Sequence, residues 1–361
     1  MTTQYYIGHS TDTDLRFKAS SGGIGSAITK FLLQQDEYDT AISLYFDKES
    51  CQYKPKLIYN ADDLIICGSI YQDIDLVRFV RDNIAQIKNG IIITCLPCQV
   101  GPIRALLNKN QKKSFFISFC CSGQTTVEGT WCLYKFLGID KKDVLHFQYR
   151  GNGWPSGIQI TLKNGEKIFR ENYSDPWKTI HRSKLFRPDR CFFCKLDTGR
   201  NADVALADPW IEEYIKNDKV GSSIILVNTE EGKTVIDTLE KGNVIELKPS
   251  NYDLYAIAQK PNIQKELVLK SNPKYPKFAC ALIKRKLYRN WATKSVDNMR
   301  RHIKVLKGVL FVSQISSPAK VWNGFRKIFT KAENKLRYYQ LRKKLGGYND
   351  HFTVSGGGND E

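Results

Sequence analysis

Ile91-Ile92-Ile93-Thr94-Cys95-Leu96-Pro97-Cys98-Gln99 decides the fold class. Ile91–Thr94 is short, β-branched and apolar, the pattern of a strand buried on both faces. The run stops at Cys95-Leu96-Pro97-Cys98, and Ile103, Leu106 and Leu107 then fall at helical spacing. Phe115-Phe116-Ile117-Ser118-Phe119 repeats the layout: an apolar strand, then Cys120-Cys121-Ser122-Gly123, then room for a helix. Two such units predict an α/β body, with a mixed or mostly parallel sheet and flanking helices. Ligands gather at the carboxyl ends of strands in open α/β sheets. Cys98 and Cys121 are therefore expected at one sheet edge.

Working outward, Thr40–Phe46, Ala202–Leu206 and Ser223–Val227 read as further strands, and Ile74–Ile87 as a helix. Upstream, Ile24, Ala27, Ile28, Phe31 and Leu32 mark a helix behind Ser20-Ser21-Gly22-Gly23, with Ser20 or Ser21 suited to the N-cap. That turn either caps the helix or offers its N–H groups to an anion. Between the cysteine units and the last strands lies an inserted β-hairpin lobe. It comprises a strand at Val144–Arg150, then Ile158–Leu162 and Lys167–Phe169 around an Asn164-Gly165 turn.

The 361 residues are 42% hydrophobic and 25% charged, ordinary for a globular chain. No window reaches the roughly 18 apolar residues of a membrane span. Met1–Ser10 lacks the basic start and apolar run of a signal peptide. The expectation is a cytoplasmic protein whose ten cysteines are thiols or ligands rather than disulfides. The net charge of +18 is uneven: residues 281–361 hold 18 Lys and Arg against 5 Asp and Glu, and residues 1–280 hold 37 against 32. The expected division is a body over residues 1–275, a basic, mostly helical extension over 276–350, and a disordered tail over 351–361. Trp322, Phe325, Ile328 and Phe329 among the basic residues leave three readings: a solvated basic helix packed on the body or docking a partner, peripheral contact with the inner membrane face, or nucleic-acid binding. The last is least favoured, because no recognition motif accompanies the charge.

The Cys191-Phe192-Phe193-Cys194 pair supplies half of a four-ligand site. Cys98 and Cys121 are the candidates for the other half, with small buried hydrophobes as the alternative reading, and four thiolates would suit either Zn²⁺ or a [4Fe–4S] cluster. Cys51, Cys67, Cys132 and Cys280 read as small buried hydrophobes. Cys95 is either a redox thiol or alternative ligand, or a packed bystander. No phosphate loop, complete G-x-G-x-x-G fingerprint or multi-histidine site is present, and Ser69 and Ser122 lack a nucleophile-elbow setting. No catalytic acid or base stands out; Tyr71 and His181 are weak candidates.

The order of short motifs carries further information. Ser20-Ser21-Gly22-Gly23 is followed by Gly68-Ser69-Ile70-Tyr71-Gln72, Leu96-Pro97-Cys98-Gln99 with Arg104, and Cys121-Ser122-Gly123. Then come Gly153-Trp154-Pro155, Cys191-x-x-Cys194-x-x-Asp197, Ala202-Asp203, Asp208-Pro209-Trp210 and Gly221-Ser222-Ser223. Over about residues 5–245 this series resembles the coenzyme F420 hydrogenase/dehydrogenase beta-subunit family.

The resemblance implies an iron–sulfur flavoprotein oxidoreductase that binds FAD and a [4Fe–4S] cluster. Cys98, Cys121, Cys191 and Cys194 match its cluster ligands. Ser21, Gly22, Gly23, Gly68, Ser69, Tyr71 and Gln72 match segments near the flavin. Similar proteins include redox proteins of bacterial polysaccharide gene clusters, so a polysaccharide-pathway substrate is one expectation. The family's two-cluster ferredoxin module is not in this sequence, which makes a separate donor such as ferredoxin the expected source of electrons to an organic substrate. Ile70 and Asn152 replace lysines common in the family, which weakens the case for a deazaflavin ligand, and Cys95 replaces a usual glycine. A Zn²⁺-stabilised binding or scaffold protein without redox activity is the alternative.

Overall fold

The computed structural model describes residues 2–195 and 198–315. The strands are β1 (Gln4–Ser10), β2 (Thr40–Asp47), β3 (Gln52–Ile58), β4 (Gly90–Thr94), β5 (Lys113–Phe119), β6 (Val144–Gln148), β7 (Gly157–Leu162), β8 (Lys167–Glu171), β9 (Val204–Ala207), β10 (Ser223–Val227) and β11 (Ile245–Pro249). Eight of them form one sheet in the order β11-β1-β10-β9-β5-β4-β2-β3. The four strands β2, β4, β5 and β9 are parallel. The ladders on both sides of that centre are antiparallel. The sheet is therefore mixed with a parallel heart, and the Ile91–Thr94 and Phe115–Phe119 runs occupy it.

Alternation within these runs assigns each side chain to one of two cores. Ile92, Phe115 and Ile117 pack with Ile24, Ile28, Ile236 and Leu239, from the helices Ile24–Leu32 and Glu230–Lys241. Ile91, Ile93 and Phe116 pack on the other face with Val100, Ile103 and Leu107 of the helix Pro97–Lys109. Strands covered on both faces need apolar residues at every position, which is what the sequence supplies.

Three sequence expectations change. The edge strands β3 and β11, and β1 between β11 and β10, were not legible; β3 carries Pro55, tolerable because that strand lies at the sheet's edge. The expected helix over 74–87 splits into a helix Leu76–Asp82 and a 3₁₀ turn Ile84–Gln86. At the break the Asn83 amide donates to Phe79 O at 2.8 Å and ends the α-helical ladder. The N-cap of Ile24–Leu32 is Gly23 at φ 76°, not Ser20 or Ser21. Those two hydroxyls bond elsewhere, to Ser69 and Ser223.

The inserted lobe is the antiparallel sheet β6-β7-β8. Phe147 and Ile160 from this sheet share a core with Tyr134, Trp177 and Ile180, and with Ala279, Met299 and Leu306 of the C-terminal helices. Those helices, Tyr275–Lys284, Lys286–Ala292 and Val296–Ile315, thus bury their apolar faces against the lobe. Among the described residues, no helix is long and apolar enough to cross a membrane. Asp197, Trp322, Phe325, Ile328, Phe329 and the expected tail 351–361 lie outside the described residues.

Candidate functional site

Pro97 opens the helix Pro97–Lys109, and Gln99 reaches back to the Leu96 N–H at 3.1 Å. This places Cys98 in the first turn, just past the carboxyl end of β4. Cys121 follows β5, after the Cys120 N–H extends that strand's pairing to Leu206 O. The short helix Asp189–Phe193 carries Cys191, and the chain leaves it in extended conformation at Cys194. Cys98, Cys121, Cys191 and Cys194 line one cavity of about 300 Å³, together with Leu96, Pro97, Gly123, Gln124 and several basic side chains. All ten cysteines are free thiols.

Burial pushes the Cys98 thiol up, helped by the neighbouring Cys194 and opposed by the Arg190 charge. Burial raises Cys121 to about 12. Arg190 is itself anchored by Asp73, with a 3.1 Å bond from Nη1 to Oδ2. Four sulfurs on one cavity, beside Arg190 and Lys265, form a donor set suited to a cationic metal group carrying thiolates. Among the described residues no three His, Cys, Asp or Glu side chains are close enough to hold a single metal ion. Cys95 does not line this cavity; it packs with Ile93, Val100 and Phe116 in the core, and burial drives its thiol up.

A second space, a cleft of about 1080 Å³, opens beside the cysteines. Its volume lies at the upper end of cofactor sites, which run to roughly 1,000 Å³. Leu96, Cys121, Gly123, Gln124 and Lys265 line both spaces, so cavity and cleft share a wall. The Ser20–Gly23 turn and the Gly68–Gln72 segment meet on this cleft, where the Ser69 hydroxyl donates to Ser20 Oγ at 2.8 Å. Ser223 Oγ accepts from Gly22 N–H at 3.0 Å and lies 2.8 Å from Ser21 Oγ. Gly68 needs its φ of +65°, and a Cβ there would lie 2.0 Å from Arg150 O. Gln72 is differently placed: its amide accepts from Tyr53 N at 2.8 Å and donates to Tyr53 O at 3.0 Å, which fixes it to β3.

At Gly22 a Cβ would stand 2.5 Å from Gly8 O and 2.9 Å from Ser223 N. Gly22→Ala is therefore expected to push the turn off β1 and β10. The predicted cost is about 1–3 kcal/mol in a urea melt.

Beneath the turn lies an ion pair that the sequence reading missed. Arg150 is 2% exposed and grips Asp208 through two bonds, of 2.7 and 3.0 Å. Its Nη2 also donates to Ser20 O at 2.7 Å. Trp154 Nε1 donates to Asp208 at 3.2 Å, and the Trp154 and Trp210 rings lie 5.1 Å apart. The Gly153-Trp154-Pro155 and Asp208-Pro209-Trp210 motifs were the available signal, and they converge here. Asp203 is structural: it accepts from Phe116 N–H at 2.8 Å and Thr229 Oγ1 at 3.0 Å, tying β5 to β9 and β10.

Tyr71 and His181 both line the cleft, with rings 5.4 Å apart. His181 stacks on Trp177 and places Nδ1 2.8 Å from Thr125 Oγ1. Burial, then the Arg187 charge, pushes the His181 pKa down to about 3, so its ring is neutral at physiological pH. It can orient a group by hydrogen bonding but does not enter as an imidazolium acid.

Residues 5–80 match the family model for the N-terminal part of the coenzyme F420 hydrogenase/dehydrogenase beta subunit. Residues 88–252 match the model for its C-terminal part. The chain belongs to the coenzyme F420 hydrogenase/dehydrogenase beta-subunit family. It is 22% identical over 264 residues to the F420-dependent formate dehydrogenase subunit beta of Methanocaldococcus jannaschii. That alignment covers 71% of this chain and 65% of the relative, so the chain spans less than two thirds of that protein. Its fold is similar to a chain of the F420-reducing [NiFe] hydrogenase complex from Methanosarcina barkeri. The TM-score is 0.56 at 16% identity, over 75% of this chain and 92% of that one.

The four cysteines, the two glycine-bearing segments and the Arg150–Asp208 pair all fall within the family-matched spans. Part of the cleft wall does not. Lys265, Tyr275, Leu306, Lys307 and Leu310 line it from beyond residue 252.

Proposed function

We propose that this chain is an iron–sulfur flavoprotein oxidoreductase. In this reading Cys98, Cys121, Cys191 and Cys194 hold a [4Fe–4S] cluster, and FAD occupies the adjoining cleft. The carrying observation is the shared wall: the four-cysteine cavity and the cleft meet at Leu96, Cys121, Gly123, Gln124 and Lys265. The thiols surround a space of about 300 Å³ rather than a point, which fits a four-cornered cluster better than one Zn²⁺ at roughly 2.3 Å Zn–S distances. When bound, the cluster supplies one-electron transfer and FAD the interchange between one- and two-electron chemistry.

The chain's residues bind and orient. Gly23 sets the N-terminus of the helix Ile24–Leu32 at the cleft, where backbone N–H groups favour a phosphate. Arg150 fixes the Ser20 carbonyl behind that turn, and Tyr71 and the neutral His181 present polar and aromatic surface to a bound ring. An external protein such as ferredoxin delivers electrons, and an organic substrate receives them. The polysaccharide-pathway setting belongs to this reading on the resemblance alone.

Anaerobic purification followed by iron analysis and an absorption spectrum tests the proposal. The expected result is about four iron atoms per chain with flavin bands. A colourless protein holding zinc and no flavin would overturn it.

A further inference from the structure

One short segment runs along the wall between the cysteine cavity and the cleft. Cys121, Gly123 and Gln124 line both spaces. Thr125 then docks the chain on the stretch that follows Gly68. Its N–H donates to Tyr71 O at 2.9 Å, and its carbonyl accepts from Asp73 N–H at 2.9 Å. Its Oγ1 lies 2.8 Å from His181 Nδ1. The next N–H, that of Thr126, donates to Phe186 O at 2.7 Å. Gln124 therefore stands on backbone that is fixed immediately downstream, between a candidate cluster ligand and the segment assigned to the flavin.

The Gln124 side chain is 7% exposed, and its Oε1 is buried without a hydrogen-bond partner among the described residues. Leaving such an oxygen unpaired costs about 1–3 kcal/mol. Unpaired buried polar atoms are few in native folds, and a redox or ligand-binding role is one reason to keep one.

The chemistry of the two proposed occupants decides which of them suits this atom. An amide oxygen needs an N–H or O–H donor. An iron–sulfur cluster presents sulfur, an acceptor, and no such donor. The flavin ring carries N–H, and its two-electron reduction, with proton uptake from solvent, adds N–H at a ring nitrogen. An oxygen acceptor placed there holds the reduced ring more tightly than the oxidised one and so raises the flavin's potential.

We infer that Gln124 tunes the flavin: its Oε1 accepts a hydrogen bond from a ring N–H and makes the flavin a better acceptor of electrons from the cluster. This inference rests on the flavoprotein reading and adds a residue to which that reading gives no role.

The full chain, reconstituted anaerobically with FAD and iron, is titrated potentiometrically. Absorbance follows the flavin, and electron paramagnetic resonance follows the cluster. Gln124→Leu and Gln124→Met each remove the acceptor and keep a side chain of similar bulk, methionine being the more adaptable. Each is expected to shift the flavin equilibrium about tenfold toward the oxidised form. For a two-electron couple that is a lowering of about 30 mV. The cluster midpoint should stay within the error of the titration. Ile257→Ala, on the cleft but 64% exposed, should leave both midpoints in place. A urea melt confirms that each variant is folded.

Equal shifts of both midpoints would assign Gln124 to the general packing of the wall and overturn the inference. So would a flavin midpoint that both substitutions leave in place or raise. Failure of the flavoprotein reading shows earlier and separately, as a chain that takes up neither FAD nor iron. A chain that holds both, with an unmoved flavin midpoint, overturns the role of Gln124 alone.

Discussion

Cys191→Ser is expected to reduce bound iron from about four atoms per chain to fewer than one after anaerobic reconstitution. Cys98→Ser, Cys121→Ser and Cys194→Ser should do the same. The four sulfurs line a single cavity, two from strand ends and two from one short helix and its exit. Loss of a corner leaves three thiolates from three separate segments or from two, without the donor that closes the site. Serine keeps the shape and removes the soft thiolate ligand that iron–sulfur chemistry requires. Flavin content should hardly change, because the Ser20–Gly23 and Gly68–Gln72 segments are held by Ser223, Arg150 and each other rather than by the cysteines. Cys67→Ala and Cys95→Ala serve as controls. Neither residue lines the cysteine cavity, and burial pushes Cys67 up to about 12 and raises Cys95 as well. Both controls should keep full iron. Iron analysis with the visible spectrum reads the series. Iron retained in Cys191→Ser but lost in Cys191→Ser/Cys95→Ala would show that Cys95 can replace a ligand.

The parts of the fold legible in sequence were those where every residue of a run faces a core. Ile91–Ile93 and Phe115–Ile117 are buried on both faces and could be read without knowing their neighbours. β1 and β11 mix polar and apolar residues, and their assignment depends on pairing with strands far away in sequence; β3 pairs with its chain neighbour β2, but its proline breaks the strand pattern. The four cysteines were legible as residues, because strand ends point toward a common edge. Their shared cavity was not, since it requires the Asp189–Phe193 segment to fold back onto that edge. The packing of the C-terminal helices could not be read from their charge. Ala279, Met299 and Leu306 are buried against the lobe, while Lys265 and Lys307 line the cleft. Composition registers charge and is silent on which face carries it. Arg150 gave no signal alone; only the convergence of two tryptophan motifs on Asp208 reveals its setting.

Arg150→Met is expected to destabilise the protein by about 3–5 kcal/mol, because it leaves the Asp208 carboxylate in a largely buried site without its cation. Methionine fills much of the volume but supplies no donor. Trp154 Nε1 remains on Asp208 and offsets only part of the loss. The double variant Arg150→Met/Asp208→Leu removes both charges, so it should recover most of the stability in a urea melt. Flavin retention should not recover with it. The Arg150 guanidinium donates to Ser20 O at 2.7 Å, and its backbone oxygen lies where a Gly68 Cβ would fall. One residue thus braces both segments assigned to the flavin. With the donor gone, the Ser20–Gly23 turn loses a fixed point whether or not Asp208 is present. Stability and flavin binding should therefore separate across the pair of variants. If the double variant recovers both together, Arg150 acts through folding alone; if it recovers stability but elutes without flavin, Arg150 positions the turn.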